Sequence, residues 1–193
     1  MENLKIGVAL CGSFCTFSKI IPVLDDLVKR EMKVMPIMSH NAYSTDTRFG
    51  MASDFVAAIE EMTGQRVIHT IAGAEPIGPN RLLDALIIAP CTGNTLAKLA
   101  AGIADTSVTL AAKAHLRNNR PLIIAVSTND GLSTASRNIA QLQNAKNIYF
   151  VPYQQDDSQG KPNSLVAHFG MIPETLQAAM KGTQLQPLLA PLY

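Results

Sequence analysis

Apolar residues fall along this chain in short blocks separated by polar turns. The blocks Lys5–Leu10 (KIGVAL), Lys33–Met38 (KVMPIM), Ala85–Ala89 (ALIIA), Pro121–Val126 (PLIIAV) and Asn147–Val151 (NIYFV) are too short for helices. Runs of that length bounded by turn residues fit strands covered on both faces of a parallel sheet. Val67–Ile71 reads as a weaker strand. Pro36 places the second block at a sheet edge or ends it early, and Pro90 is expected to stop the third, because proline removes a ladder donor. Between the blocks the apolar period becomes helical: Ile20, Val23, Leu24 and Leu27, with Pro22 early and Lys29-Arg30 in the last turn; Asp54–Met62, closed by Gly64; Leu96, Leu99, Ala100 and Ile103; Thr106–Arg117; Ser133–Leu142; and Ser164–Met180.

Strands alternating with helices imply right-handed crossovers and a doubly wound parallel sheet, Rossmann-like or flavodoxin-like, with helices on both faces. No repeat, low-complexity run or linker interrupts the pattern, so residues 1–193 are expected to form a single domain. Ala72–Asn80 reads as a turn-rich loop over the site. Pro152–Pro162 is polar enough for a mobile flap or a partner-binding loop, and the apolar tail QLQPLLAPLY is expected to pack on a neighbour.

Four polar loops follow buried strands: 11–15, 39–42, 91–95 and 127–131. In a doubly wound sheet such loops converge at the carboxyl edge and line one crevice. Their groups are mostly neutral: Ser13, Ser39, Thr92, Asn94, Thr95, Ser127, Thr128 and Asn129. That inventory suits a phosphate and a heterocycle, with reactivity carried by a cofactor. Gly12-Ser13 before a helix can cradle a phosphate, although Gly12 serves equally as a tight turn. The three-glycine dinucleotide fingerprint is absent.

Composition narrows the partners. Lys+Arg 16 against Asp+Glu 15 gives a net charge of +1, no basis for binding nucleic acid or an anionic membrane. Charged residues, at 16%, fall below the usual quarter or so, which fits surface buried in a homo-oligomer and equally a thick α/β core. Cys11, Cys15 and Cys91 make neither a disulfide framework nor a zinc set. Gly7 and Gly12 break the apolar N-terminus before it resembles a signal peptide, and no run is long enough to span a membrane; a cytoplasmic protein is expected.

The segment APCTGNTLAKLAAGIADTSVTLAAKA, comprising Pro90, Thr92, Gly93, Asn94, Thr95, Ala97, Lys98, Ala100 and Gly102 through Asp105, resembles the signature of the flavin mononucleotide-binding decarboxylase-like flavoproteins. Gly12-Ser13, with Phe14 beside it, and Ser39-x-x-Ala42 match that family's phosphate and flavin loops. The resemblance spans the chain. It implies bound FMN at Gly12, Ser13, Phe14, Ser39, Pro90, Thr92–Thr95 and Ser127, and a trimer-based homo-oligomer. Ser127–Ser133, Lys146–Asp157 and Lys161–Ala167 resemble, more narrowly, the branch that works in dipicolinate synthesis during sporulation. That likeness implies an oxidoreductase role, with a dihydrodipicolinate-type substrate near Asn94, Asn129 and Asp130 and with a partner protein that binds NAD(P). Decarboxylating members carry a His shortly before the acidic residue that opens the third long strand, here Asp84. Pro76 stands there, with no His between His69 and His115, and their Pro-x-Met-Asn segment is replaced by Ser127–Asp130, so cysteine-type decarboxylation is disfavoured.

Each residue also has a plainer reading. Asn94, Thr92 and Thr95 bind a ligand or cap a helix. Asn129, Asp130 and Ser133 recognise substrate or cap the next helix. Lys98 neutralises a phosphate or is solvated; Asp105 caps or pairs; Cys91 is a reactive thiol or a buried filler; His40 shuttles protons or is structural. His115 and His168 are expected to be structural, and Asp156-Asp157 a solvated turn, with no metal site.

Overall fold

The computed structural model describes residues 3–190. Lys5–Leu10 (β1), Lys33–Met38 (β2), Ala85–Cys91 (β3), Leu122–Thr128 (β4) and Ile148–Phe150 (β5) pair in parallel in the order β2-β1-β3-β4, with β5 beside the first half of β4. Every residue of β3 is buried, as expected of a strand covered on both faces. Helices Phe17–Lys29 (α1), Ala52–Thr63 (α3) and Ile172–Ala179 (α8) cover one face. Gly93–Ala100 (α5), Ser107–Leu116 (α6) and Ser136–Gln143 (α7) cover the other. The result is the doubly wound, flavodoxin-like α/β fold.

Prolines and local capping move several boundaries. Pro36 does sit in an edge strand: Ile68 donates its N–H to the Pro36 carbonyl at 2.9 Å and accepts from Met38 at 2.9 Å. The strand expected over Val67–Ile71 shrinks to that bridge, because Thr70 Oγ1 accepts from Gly73 N–H (3.0 Å) and starts a short helix, Ile71–Ala74 (α4). Pro90 does not end its strand. The β3–β4 ladder shifts register between Ile88 and Cys91, and the strand runs on through Cys91. α1 begins at Phe17, so Pro22 falls inside the helix at the loss of one ladder bond. His40–Ser44 (α2) is helical, and Gly64, at φ 64°, closes α3 as expected.

Three larger expectations are corrected. Ala72–Asn80 does not cover the site. It packs along α6, where a Cβ at Gly78 would meet the Ala114 Cβ at 2.8 Å and Asn118 Nδ2 donates to the Gly78 carbonyl at 2.8 Å. Ser133–Leu142 starts its helix late, since the Asp130 carbonyl holds Ser133 and Ala135 N–H in a turn (3.0 and 3.1 Å). Within Ser164–Met180 only α8 is α-helical, opened by Pro173 in its first turn. Leu165–Ala167 (β7) is instead a strand, antiparallel to Ser127 and Thr128 of β4 and to Tyr153–Gln154 (β6). The sheet is therefore mixed: a hairpin extends the carboxyl half of β4.

Over its described part the tail is held to its own chain, with Leu189 left exposed. Leu188 packs on the core, and Leu188 and Ala190 bond to the backbone of Tyr153 (both 3.1 Å). Gln184 grips β5, its Oε1 accepting from Phe150 N–H at 2.8 Å and its Nε2 donating to the Phe150 carbonyl at 2.7 Å. Residues 191–193 of the tail lie outside the described residues.

His115 is structural. On α6 it is 1% exposed, and its Nε2 lies 3.0 Å from the Pro121 carbonyl. Burial pushes its pKa down from 6.5 to about 4. The unfolded chain therefore takes up this proton first as pH falls, and the stability held above pH 6.5 is lost between 6.5 and about 4. At about 1.36 kcal/mol per pH unit the loss approaches ~3 kcal/mol. Urea unfolding of wild type and His115→Gln should show curves that converge as pH falls through this window; parallel curves would refute the assignment.

Candidate functional site

The four loops meet at the carboxyl edge. Cys11 N–H donates to the Pro90 carbonyl (3.2 Å) and Ser39 N–H to the Leu10 carbonyl (2.9 Å), so backbone alone ties three of them. Side chains complete the closure: Ser13 Oγ lies 2.8 Å from Ser127 Oγ, and Thr95 Oγ1 donates to Cys11 Sγ at 3.2 Å.

Two hollows share the ridge of Gly12 and Thr92. The first, about 370 Å³, is bounded by Ser39, His40, Asn41, Asn94, Thr95, Lys98 and Thr106. The second, about 360 Å³, is bounded by Ser13, Cys15, Thr16, Lys19, Gly93, Ser127, Thr128 and Asn129, and on its far wall by Asp156, Lys161 and Val166 of the hairpin. A third hollow of about 410 Å³ opens at the opposite edge, among Val28, Met32, Val34 and Leu82, far from these loops.

Capping assigns several side chains. Thr92 is the N-cap of α5: its Oγ1 accepts from Thr95 N–H at 3.3 Å and donates to Thr95 Oγ1 at 3.1 Å. Asn94 is thus not the cap. It stands exposed in the first turn and borders the first hollow. Ser39 caps α2, accepting from Ala42 N–H at 3.3 Å. Phe14 packs on Phe17, ring centroids 5.5 Å apart, and lines neither hollow. Pro90 is a buried strand residue and contributes only its carbonyl. Asn129 lines the second hollow, but the Asp130 carboxylate is occupied by Thr128 and by Thr134 Oγ1 (2.6 Å), bonds that hold it below the usual carboxylate range.

Lys98 spans to Asp105 (2.8 and 2.9 Å), and that bond lowers the Asp105 pKa. Burial raises the Cys11 thiol to about 11 and Cys91 well above its ordinary value, so neither offers a thiolate near neutrality. Burial pushes the Asp156 carboxyl up, yet bonds from Ser164 and Lys161 hold it below its ordinary value. His168 has a buried Nε2 without a partner among the described residues. The described residues hold no group of three His, Cys, Asp or Glu able to bind a metal. Sequence reasoning missed Lys19 and Lys161. Lys19 belongs to no motif, and Lys161, though it opens the Lys161–Ala167 segment, reaches the rim only through the β6–β7 hairpin.

The Flavoprotein family model matches residues 1–182. The chain belongs to that family. Within it, the chain is similar to the B subunit of dipicolinate synthase from Bacillus subtilis strain 168: 43% identical over 193 residues, all of this chain and 96% of the relative. It is also similar to the crystal structure of the dipicolinate synthase B subunit from Bacillus halodurans C, with TM-score 0.91, 41% identity, and coverage of 100% and 98%. A dodecameric FMN-dependent Ubix-like decarboxylase from Escherichia coli O157:H7 matches with TM-score 0.63 and 25% identity, over 77% of this chain and 80% of that one. The Flavoprotein fold and the branch resemblance expected from the motifs are thereby established. No described helix is long and apolar enough to cross a membrane.

The two rim glycines differ. A Cβ on Gly93 would lie 2.7 Å from Thr128 Oγ1 and 2.8 Å from Asp130 Oδ1, whereas one on Gly12 would meet nothing nearer than 3.5 Å, in the Phe14 ring. Gly93→Ala should cost about 1–3 kcal/mol of stability. Gly12→Ala should stay within about 0.5 kcal/mol of wild type. Chemical denaturation of both variants checks the contrast.

Proposed function

We propose that this chain is the flavin-holding component of a dipicolinate synthase, working during sporulation to oxidise a dihydrodipicolinate-type intermediate to dipicolinate. Full-length similarity to the B subunit of dipicolinate synthase is the observation that carries the reading. Its partner is the A subunit of dipicolinate synthase, which supplies the NAD(P) site. The assembly is cytoplasmic and contains several copies of this chain.

The residues present fit FMN. A Cβ at Gly12 would meet the Phe14 ring and Asn41 only at ordinary contact distance (3.5–3.7 Å), so the backbone there stays approachable, and the loops around it offer neutral donors. Lys98 of the first hollow already has Asp105 as its counter-ion, and among the described residues no carboxylate lines that hollow to repel a phosphate. Gly12, Ser39, Thr92, Asn94 and Thr95 would hold the cofactor, while Gly93, Ser13 and Ser127 stand on the second hollow's side of the Gly12–Thr92 ridge. Bound FMN would supply a two-electron acceptor for aromatising the ring. The protein's part is positional: the start of α5 presents backbone donors at Gly93 and Asn94, since Thr92 already serves Thr95 and Leu96. Asn94 offers donor and acceptor in one plane to a ring edge. With both buried thiols protonated and Asp130 occupied, His40 on the wall of the first hollow is a rim group that would take the ring proton aromatisation releases alongside the hydride.

Titrating the purified chain with FMN should quench flavin fluorescence saturably. Asn94→Ala should weaken binding about tenfold, the worth of one hydrogen bond or slightly more, with the unfolding midpoint unchanged. A chain that leaves flavin fluorescence untouched would make this a binding component without flavin. Aromatisation should need both proteins; full activity from the NAD(P)-binding partner alone would overturn the catalytic contribution.

A further inference from the structure

The second hollow differs from the first in charge and in what builds it. Its near wall is the Gly12–Thr92 ridge shared with the flavin-type loops. Its far wall comes from the β6–β7 hairpin, which folds against Ser127 and Thr128 and carries Lys161 over the rim. Lys19, from the first turn of α1, stands on the other side. Two ammonium groups therefore border a space whose remaining groups include the neutral donors Ser13, Ser127 and Asn129. Among the described residues the only acid there is Asp156, which accepts from Ser164 and lies 3.5 Å from Lys161, so it steadies the lysine. Lys161 is further fixed at its backbone, whose N–H donates to the Asp157 carbonyl at 2.8 Å.

We propose that Lys19 and Lys161 hold the carboxylates of a small cyclic dicarboxylate in this second hollow, making them specificity-determining residues of the substrate site. The proposal rests on the reading of the chain as part of a dipicolinate synthase, but concerns a different hollow from the one assigned to flavin. Two carboxylates fit better than one phosphate here, because the two ammonium groups come from different elements and suit a ligand with charge at two places rather than at one. Serine and asparagine groups between the lysines then meet the ring and the remaining carboxylate oxygens.

The test is calorimetric titration of the full chain with dipicolinate, repeated with FMN present, on wild type, Lys19→Gln, Lys161→Gln and Lys161→Arg. Wild type is expected to bind dipicolinate more tightly than the monocarboxylate picolinate. Each Gln variant should lose about tenfold or more for dipicolinate, as expected of a charge-assisted bond, while Lys161→Arg retains most of the affinity. FMN affinity should change less than about twofold, well under the ~1.4 kcal/mol of a tenfold effect. No binding by folded wild type, equal binding by the Gln variants, or a matching loss of FMN affinity would each overturn the proposal; the last would assign the lysines to the cofactor phosphate. Because dipicolinate is titrated with and without FMN, a chain that binds no flavin fails the functional reading and still decides this one.

Discussion

What the site depends on is a set of strands with no solvent face. β3 and most of β4 are buried along their length, so their side chains cannot reach a ligand and only their ends can carry polar groups. Parallel pairing then puts those ends on one side of the molecule. The loops hold each other through short bonds between chain segments far apart in sequence: Ser13 to Ser127, Thr95 to Cys11, Cys11 to Pro90. These bonds mean that the rim comes as one unit. A change at one loop is felt at the next through a shared hydroxyl or carbonyl rather than through a flexible linker.

Capping determines which polar groups remain for a ligand. Thr92, Ser39 and Asp130 spend their oxygens on nearby N–H or O–H groups. Asn94, Asn129, Lys19 and Lys161 line the hollows with their side-chain chemistry less committed. Burial has a parallel effect on the ionisable groups: Cys11, Cys91 and His115 are all held neutral near pH 7 by desolvation. These three groups are therefore unavailable for acid–base work near neutrality.

Most of the frame could be read from sequence because it follows from periodicity alone. The apolar blocks became strands, Pro36 marked an edge, and Gly64 closed a helix. The motif around Asn94 pointed to the rim, and the resemblance it carried to flavoproteins held. The misreadings share a physical origin in contacts that sequence spacing does not encode. Pro90 continues its strand because the neighbouring ladder shifts register around it. Leu165–Ala167 is short enough to pass for the start of a helix, and becomes a strand because the carboxyl end of β4, past the reach of β5, pairs with it. Lys161, read as part of the polar loop Pro152–Pro162, reached the site through that same hairpin, and with Ser164–Met180 read as helix nothing tied that loop to the rim.

Gln184 has a consequence beyond local order. Its amide occupies both backbone groups of Phe150 on the outer side of β5, while residues 188–190 bond the backbone of Tyr153. At the opposite margin Ile68 bonds the backbone of Pro36 and Met38 in β2. With its margins occupied by its own chain at these points, the sheet has little room to be extended by strand addition. Helix faces and loops, where apolar side chains such as Ile103 and Leu132 stand in solvent, are left as the surfaces open to another chain.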